Sequence, residues 1–495
     1  MLTTSPGDLS ARQNFLSSAE AMASRFNSIN GVMTDLRDAT NLKVLDTVQK
    51  INDSAKQIAE LNNKIVASSN NSALGAAPNE LLDERDRLIS ELSEQVQLTR
   101  VDLDNGSVNL FLANGRAIVV KDKPFDVITQ VDPADNENLL VGMNIVEAGV
   151  SNLVTFEPKS LGTGALSGFL QFRENELAQY QNTVGLMAAN LSFTVNELQL
   201  RGVDLTNLQA GNLTVGGSPI FGFAGSSDYT DPVENLRALS KAVNANSNTG
   251  GAFVELNKAD FSRLSAQDFE VRVVDVAGTP TPSYRVLGSG AAFTALAAPS
   301  AADIAAGYTG GYKIPDSSGN PLVTFDFNTG GGAFAIGDTF TIYPTRNAAK
   351  NILVDMKTPA GVATAVRNGQ DTVLAGGGTK ARDPATGDND NSLLFAALQN
   401  SRTMFKTGNS AGVSIGDSFN QLVSRIGNKT RELEVATDSR SAILEQVRES
   451  RDAFSGVNMD EEAANLLKYQ QAYQASGRVI SLSKELFELV LNLFG

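Results

Sequence analysis

Cysteine, histidine and tryptophan are absent from all 495 residues. Without imidazole or thiolate there is no Ser-His-Asp or Cys-His nucleophile system, no HExxH zinc site and no thiolate metal site. A Ser-Lys pair or paired carboxylates remain as formal catalytic options. The lack of cysteine also removes any disulfide framework, so the redox compartment is not legible from it. Basic residues are in deficit, 40 Lys and Arg against 55 Asp and Glu, giving a formal net charge of −15. They form no cluster, which argues against nucleic acid or an anionic membrane surface as partner. No apolar run reaches the roughly 20 residues of a membrane span. The nearest, residues 479–494, is broken by Lys484, Glu485 and Glu488. The opening "MLTTSPGDLSARQNF" lacks the basic start and apolar centre of a cleaved secretory signal.

What is present is helical periodicity over long stretches. The chain is long enough for several domains, each with its own core. Phe15, Met22, Ile29 and Leu36 recur every seven residues, with Ala19, Phe26 and Met33 between them. The pattern resumes after a one-residue skip as Val44, Ile51, Ile58 and Ile65, with Val48 and Ala55 alternating. This a/d stripe predicts a coiled-coil-like helix that is disturbed or broken near Thr40. A second helix follows "SSNNSALGAAPN", with Asn79 as cap, Leu81, Leu82, Leu88, Ile89, Leu92 and Val96 on one side, and Asp83 placed to pair with Arg87.

From 100 to about 160 the period changes to two, and Asn105-Gly106 and Asn114-Gly115 sit where hairpin turns are expected. Leu166, Leu170, Arg173, Leu177, Tyr180, Val184, Met187, Leu191, Thr194 and Leu198 then alternate steps of four and three, predicting one long helix. Residues 205–390 are rich in Gly, Ala, Thr and Ser and carry strand patterns such as "DFEVRVVDV", "LVTFDF" and "DTFTIYP". They read as an all-β region of one or two domains. Their "TGGGAF" and "AGGGTK" lack the GxxxxGK[ST] spacing of a phosphate loop and read as turns. Helix returns at "NSLLFAALQNS", capped by Asp390 or Asn391, and again over Phe419, Leu422, Ile426, Leu433, Ala436, Ile443, Val447 and Phe454. "DNDNS" at 388–392 has a calcium-loop look, but Gln399 stands where an EF-hand needs a bidentate Glu.

The predicted fold class is multidomain α+β. Residues 10–98, 165–200 and 392–455 are expected to form one elongated antiparallel bundle into which β-rich lobes are inserted. The predicted divisions are 1–100, N-terminal bundle helices; 101–160, a small β excursion; 161–204, the central bundle helix; 205–390, a β-rich outer lobe; 391–455, C-terminal bundle helices; and 456–495, a terminal assembly helix. In that last helix Leu466, Tyr473, Ile480, Phe487 and Phe494 recur every seven residues, and Val479, Leu482, Leu486, Leu489, Val490, Leu491 and Leu493 spread the apolar zone almost all round. A helix apolar on most sides needs neighbours. They are either this chain's own bundle or, as the favoured reading, other subunits. The expected assembly interface is Leu466, Tyr473, Gly477, Ile480, Leu486, Phe487, Val490 and Phe494. Gln470, Gln471, Gln474 and Ser476 would fix its register, and Gly477 would permit close helix approach or mark a bend.

Five stretches carry a family resemblance: "PNELLDERDRLISELSEQV" (78–96), "GALSGFLQFRENEL" (164–177), "GDTFTIYPTRNAAKNI" (337–352), "TGDNDNSLLFAALQ" (386–399) and "SGVNMDEEAANLLKYQQAYQASGRVIS" (455–481). They resemble the flagellar hook-associated protein 1 family. The last stretch is shared in outline with flagellin and hook protein, and the other four look specific. "GVDLTNLQAGN" (202–212) is a loose version of the family's Gly-rich run, and about ninety N-terminal residues of the family pattern have no counterpart. The resemblance implies a structural adaptor ring between hook and filament, with no catalytic residue, cofactor or metal. Its implied partners are further copies of itself, hook protein and the second hook-associated protein, with an export chaperone on the C-terminal helix before assembly. Nucleic acid and membrane insertion are not among them. It implies an extracellular place on the flagellum, reached by type III export without a cleaved signal. Another axial protein (flagellin, hook protein, the second hook-associated protein) or a glycan-binding lobe within 205–390 are the alternative readings.

Overall fold

The computed structural model describes residues 2–71, 79–132, 137–147, 150–228, 231–245, 248–287, 289–308, 310–328, 333–372, 378–406, 410–455 and 459–494. The chain divides into two compact units, residues 1–422 and 423–495.

Helix α1 (Leu9–Asn71) runs unbroken through the expected discontinuity. Its buried positions include Arg12, Leu16, Ala19, Ala23, Phe26, Arg37, Thr40, Val44, Val48, Ile51, Ala55, Ile58, Asn62 and Ile65. From Thr40 two steps of four follow one another, so the skip is absorbed as a change of phase rather than a break. The first half of the predicted stripe needs correction, because Met22 is 47% and Leu36 44% exposed. Ala19 and Phe26 of that stripe are buried as expected, and the other inward places there include Arg12, Ala23 and Arg37, small or polar side chains that reading for apolar residues passes over. Arg37, for example, makes an ion pair with Glu137 at 2.7 Å. Asn27 holds the carbonyls of Ala349, Lys350 and Ile352 through Nδ2 at 2.9, 3.0 and 3.2 Å.

The second half of α1 packs against α2 (Asn79–Gln95) and the small β region. Leu98–Asp102, Val108–Leu112, Ala117–Val120 and Lys123–Pro124 form an antiparallel meander, and Ile128–Val131, Leu139–Glu147 and Val150–Thr155 form a second sheet. The predicted hairpins are present, with Gly106 (φ 83°) and Gly115 (φ 79°) taking the left-handed positions. Val108, Leu110 and Leu112 alternate inward against Ile58, Ile65, Leu88 and Leu92. Two asparagines of α1 grip these strands. Asn62 donates to the Val108 and Lys121 carbonyls (2.8 and 2.7 Å) and accepts from Val108 N–H (3.1 Å). Asn52 does the same at Val127, at 2.8 and 2.9 Å. On α2 the expected Asp83–Arg87 pair is replaced by Glu84–Arg87 (2.7 Å) and Glu91–Arg87.

The predicted central helix is present without a break, as α3 (Ala165–Gln171) and α4 (Ala178–Arg201) continuous through a π-helical turn over Phe172–Leu177. Leu166, Leu170, Arg173, Leu177, Tyr180, Val184, Met187 and Leu198 of the predicted stripe are buried. The π turn carries Arg173, which donates to Asn41 Oδ1 (2.9 Å) and the Leu139 carbonyl (2.8 Å). It thereby ties α4 to α1 beside the change of phase. From Tyr180 to Asn190 α4 is buried on every side, which marks it as the centre of the first unit rather than one strand of a coiled coil.

Residues 205–390 are not all β. They contain α5 (Leu205–Ala210), α6 (Pro232–Leu239), α7 (Ala301–Ala305) and α8 (Ala348–Asn351). α5 and α6 are capped by Asp204 and Asp231, and α7 by a Ser300–Asp303 capping box. The three quoted strand patterns are strands. One antiparallel sheet has the order Lys241–Asn244, Thr339–Tyr343, Phe269–Val276, Thr279–Val286, Thr294–Ala295, and a second the order Phe253–Ala259, Pro321–Asn328, Tyr312–Pro315. Phe325 and Phe340 are fully buried, and the Phe327 ring meets both, with centroids 5.7 and 5.1 Å away. A buried polar junction fixes this lobe to α4: Asp268 Oδ2 accepts from Asn182 Nδ2 (2.8 Å) and Arg346 Nη2 (2.7 Å). The two Gly-rich pieces lie partly outside the described residues.

The first unit closes through α9 (Asp390–Ala397) and the start of α10 (Ile415–Ser455). Asp388, rather than Asp390 or Asn391, receives the first N–H of α9, at 3.1 Å. The second unit comprises most of α10 and all of α11 (Met459–Phe494).

Candidate assembly interface

In α11 the helical backbone runs through every position of the expected interface. Leu466 is 64%, Tyr473 82% and Ile480 70% exposed, and Leu467, Tyr469 and Val479 beside them are exposed as well. A Cβ placed on Gly477 would meet nothing within 4 Å, so the helix presents a smooth notch there to any approaching surface. The helix does not end or restart at Gly477. Ser476 and Ser481 satisfy their hydroxyls within the helix, on the Ala472 and Gly477 carbonyls at 2.9 and 3.0 Å, which leaves their outer faces free of demands for partners. Leu486, Phe487, Val490 and Phe494 follow on the same helix, and their side chains lie outside the described part of the structure.

The preceding α10 repeats this condition. Leu433, Val435, Ile443, Leu444 and Val447 are exposed, while Leu422 at the edge of the first unit is buried. Burial of each such side chain stabilises by roughly 1.5–3 kcal/mol, so a run of them in water is a surface shaped for a partner. Among the described residues no helix is long and apolar enough to cross a membrane, and no acidic cluster suits a metal ion. The calcium-like loop is occupied otherwise: Lys380 Nζ contacts both Asp388 and Asp390.

A second, buried polar feature was not legible as such. The start of α1 is held in a socket of carbonyl groups by Arg12, whose guanidinium is wholly buried. Nε donates to the Pro6 carbonyl (2.8 Å), Nη1 to the Val362 carbonyl and Nη2 to Thr364 Oγ1 (2.8 Å). Burial lowers the Arg12 pKa, partly opposed by the Asp204 charge. Asn389 Nδ2 completes the socket on the Thr3 carbonyl at 2.6 Å. The signal was available: Arg12 lies four residues before Leu16 in the buried phase of α1.

A first unit of helices and β sheets and a second unit of helices with exposed apolar side chains define a mixed helix-and-sheet protein with an apolar surface suited to association. Comparison with known proteins agrees. Residues 1–213 match the family described as "Flagellar hook-associated protein FlgK helical domain", and residues 451–493 match "Flagellar basal body rod FlgEFG protein C-terminal". The flagellar hook-associated protein 1 of Salmonella typhimurium is 28% identical over 494 residues, which cover 99% of this chain and 78% of that protein. Its counterpart in Bacillus subtilis is 23% identical, covering 100% of this chain and 74% of that one. The flagellar hook junction protein FlgK of Burkholderia pseudomallei has the same fold, with a TM-score of 0.71 at 19% identity over 92% of this chain and 91% of that one. The first 213 residues thus match the helical domain of flagellar hook-associated proteins, and nearly the whole chain is similar to flagellar hook-associated protein 1 of other bacteria.

Proposed function

We propose that this protein is the structural adaptor between flagellar hook and filament, and that α11 is its principal assembly surface. The observation that carries the second part is a coincidence of position. Leu466, Leu467, Tyr469, Tyr473, Val479 and Ile480, all exposed on α11, lie within the stretch, 451–493, that matches the shared C-terminal family of basal-body rod proteins. The Gln residues at 470, 471 and 474 interrupt the seam and select one register, as a ring of identical subunits requires. In the assembled ring Leu466, Tyr473 and Ile480 meet helices of neighbouring copies, Gly477 permits close approach, and Leu486, Phe487, Val490 and Phe494 form its most apolar end. The exposed face of α10 completes the bundle at the same time. The lobes from 205 to 390 face outward.

Hook protein below and the second hook-associated protein above are the neighbours in this reading. Before assembly, a chaperone covers α11 in the cytoplasm, since an uncovered apolar helix aggregates. The protein acts by binding and mechanical matching and turns over no substrate. It acts on the flagellum outside the cell, reached by type III export without a cleaved signal. The test is electron microscopy of hooks to which the chain has been added. The expected result is a capping layer at the hook tip that supports growth of the filament. Hooks left bare by the chain, with or without the family's N-terminal segment joined to it, would remove the junction reading.

A further inference from the structure

The chain has no cysteine with which to staple itself, yet one buried cluster is arranged for a different covalent link. The side chains of Lys380 and Asp388 are each only 3% exposed. Lys380 Nζ contacts Oδ2 of Asp388 and Oδ2 of Asp390. The other oxygen of Asp388, Oδ1, accepts the backbone N–H of Asp390 at 3.1 Å. Both sides are held by backbone pairing. Lys380 exchanges N–H and carbonyl bonds with Gln370 and Gly369 (2.8 and 2.9 Å), and the Asp388 N–H donates to the Ala385 carbonyl at 2.9 Å.

We propose that Lys380 and Asp388 condense into an intramolecular isopeptide bond, with Asp390 carrying the proton. The amine lone pair of Nζ attacks Cγ of the protonated Asp388, forming the C–N bond. Negative charge gathers on Oδ1, where the Asp390 N–H already points. The Asp390 carboxylate takes a proton from the nitrogen and passes it to Oδ2, and Oδ2 leaves as water. An amine and an acid become an amide and water, with nothing oxidised or reduced. Two groups fixed in contact gain the large effective concentration of an intramolecular reaction.

Burial works to lower the Lys380 pKa, but hydrogen bonds to Asp388 and Asp390 outweigh it and raise it. The ammonium form of Lys380 therefore predominates. The reactive neutral pair is one proton transfer away along an existing contact, and a reaction needed once per molecule tolerates its scarcity. The product would close residues 380–388 into a covalent ring beside Asn389, which clasps the start of α1. This inference does not depend on the flagellar reading.

Intact-mass spectrometry of the purified full chain tests it. The expected mass is one water below that of the sequence. After trypsin, the segment 368–382 should remain joined to 383–402, which distinguishes this link from loss of water elsewhere. Lys380→Arg and Asp388→Ala should each show their full sequence mass, and Asp390→Ala should convert far more slowly or not at all. A wild-type chain that keeps its full sequence mass after prolonged incubation, with the two tryptic segments separate, would show an ion triad only and overturn the proposal.

Discussion

Two long helices of this protein use the same heptad pattern and meet opposite fates. Along α1, residues from Val44 to Ile65 are sealed against α2 and the small β sheets, with Ile51 and Ile58 wholly buried. Along α11, Leu466, Tyr473 and Ile480 occupy equivalent seven-residue spacings and stay in water. Sequence periodicity states that a face must be covered and is silent on whether the cover comes from the same chain. The first unit carries its own cover, and the second, on the proposed reading, borrows one.

The sharpest way to break the contrast is to remove the borrowed surface. Deletion of residues 456–495 should abolish assembly on hook tips altogether, while the first unit keeps its thermal unfolding temperature. If calorimetry instead showed the first unit melting earlier, α11 would have to be part of that unit's own core.

Point substitutions should divide in the same way. Leu92→Ala empties a wholly buried site between α1, α2 and the sheet and should destabilise by about 3 kcal/mol, seen as a lower urea midpoint. Tyr473→Ala should change the chain's own stability by less than about 0.5 kcal/mol, yet weaken assembly measurably. Equal urea shifts for the two would erase the distinction.

What was legible in the sequence follows from what periodicity can carry. The hairpins at Gly106 and Gly115, the strands of the outer lobe and the buried face from Leu166 to Leu198 were readable because their inward residues are apolar or their turns need glycine. The first half of α1 was misphased because Arg12, Ala23 and Arg37 face inward, and the two arginines are held there by polar contacts to a segment hundreds of residues away and to the small β region. The π turn at Phe172–Leu177 left no trace, since one additional residue in a helical turn alters neither the apolar count nor the spacing of Leu170, Arg173 and Leu177. The junction of the lobe with α4 was hidden for a related reason, as it is made by Asn182, Asp268 and Arg346.

That junction gives a test inside the first unit. A Cβ on Gly185 would lie 2.1 Å from the Thr345 carbonyl oxygen, so α4 approaches the 345 segment as closely as backbone allows. Gly185→Ala should cost about 1–3 kcal/mol through forced separation. Hydrogen exchange should rise around 339–352 while the Leu92 region stays protected. Unchanged exchange there would mean that the lobe is held by its other contacts alone.

The smallest expected effect lies at the outer edge of the lobe and is visible only in acid. Asp303 accepts from Lys313 Nζ (2.7 Å) and from the N–H and hydroxyl of Ser300 (2.7 and 2.8 Å). The Lys313 ammonium chiefly, then the Ser300 donors, lower its pKa from 3.8 to about 2. A carboxyl whose pKa is lower in the folded state stabilises the fold fully above its unfolded value and loses that contribution as pH falls through its folded value. Wild type should therefore exceed Asp303→Asn in melting temperature by a constant margin above pH 3.8, and the margin should close as pH falls through about 2. A margin that persisted unchanged below that range would assign the effect to the shape of the α7 cap rather than to the Asp303 charge.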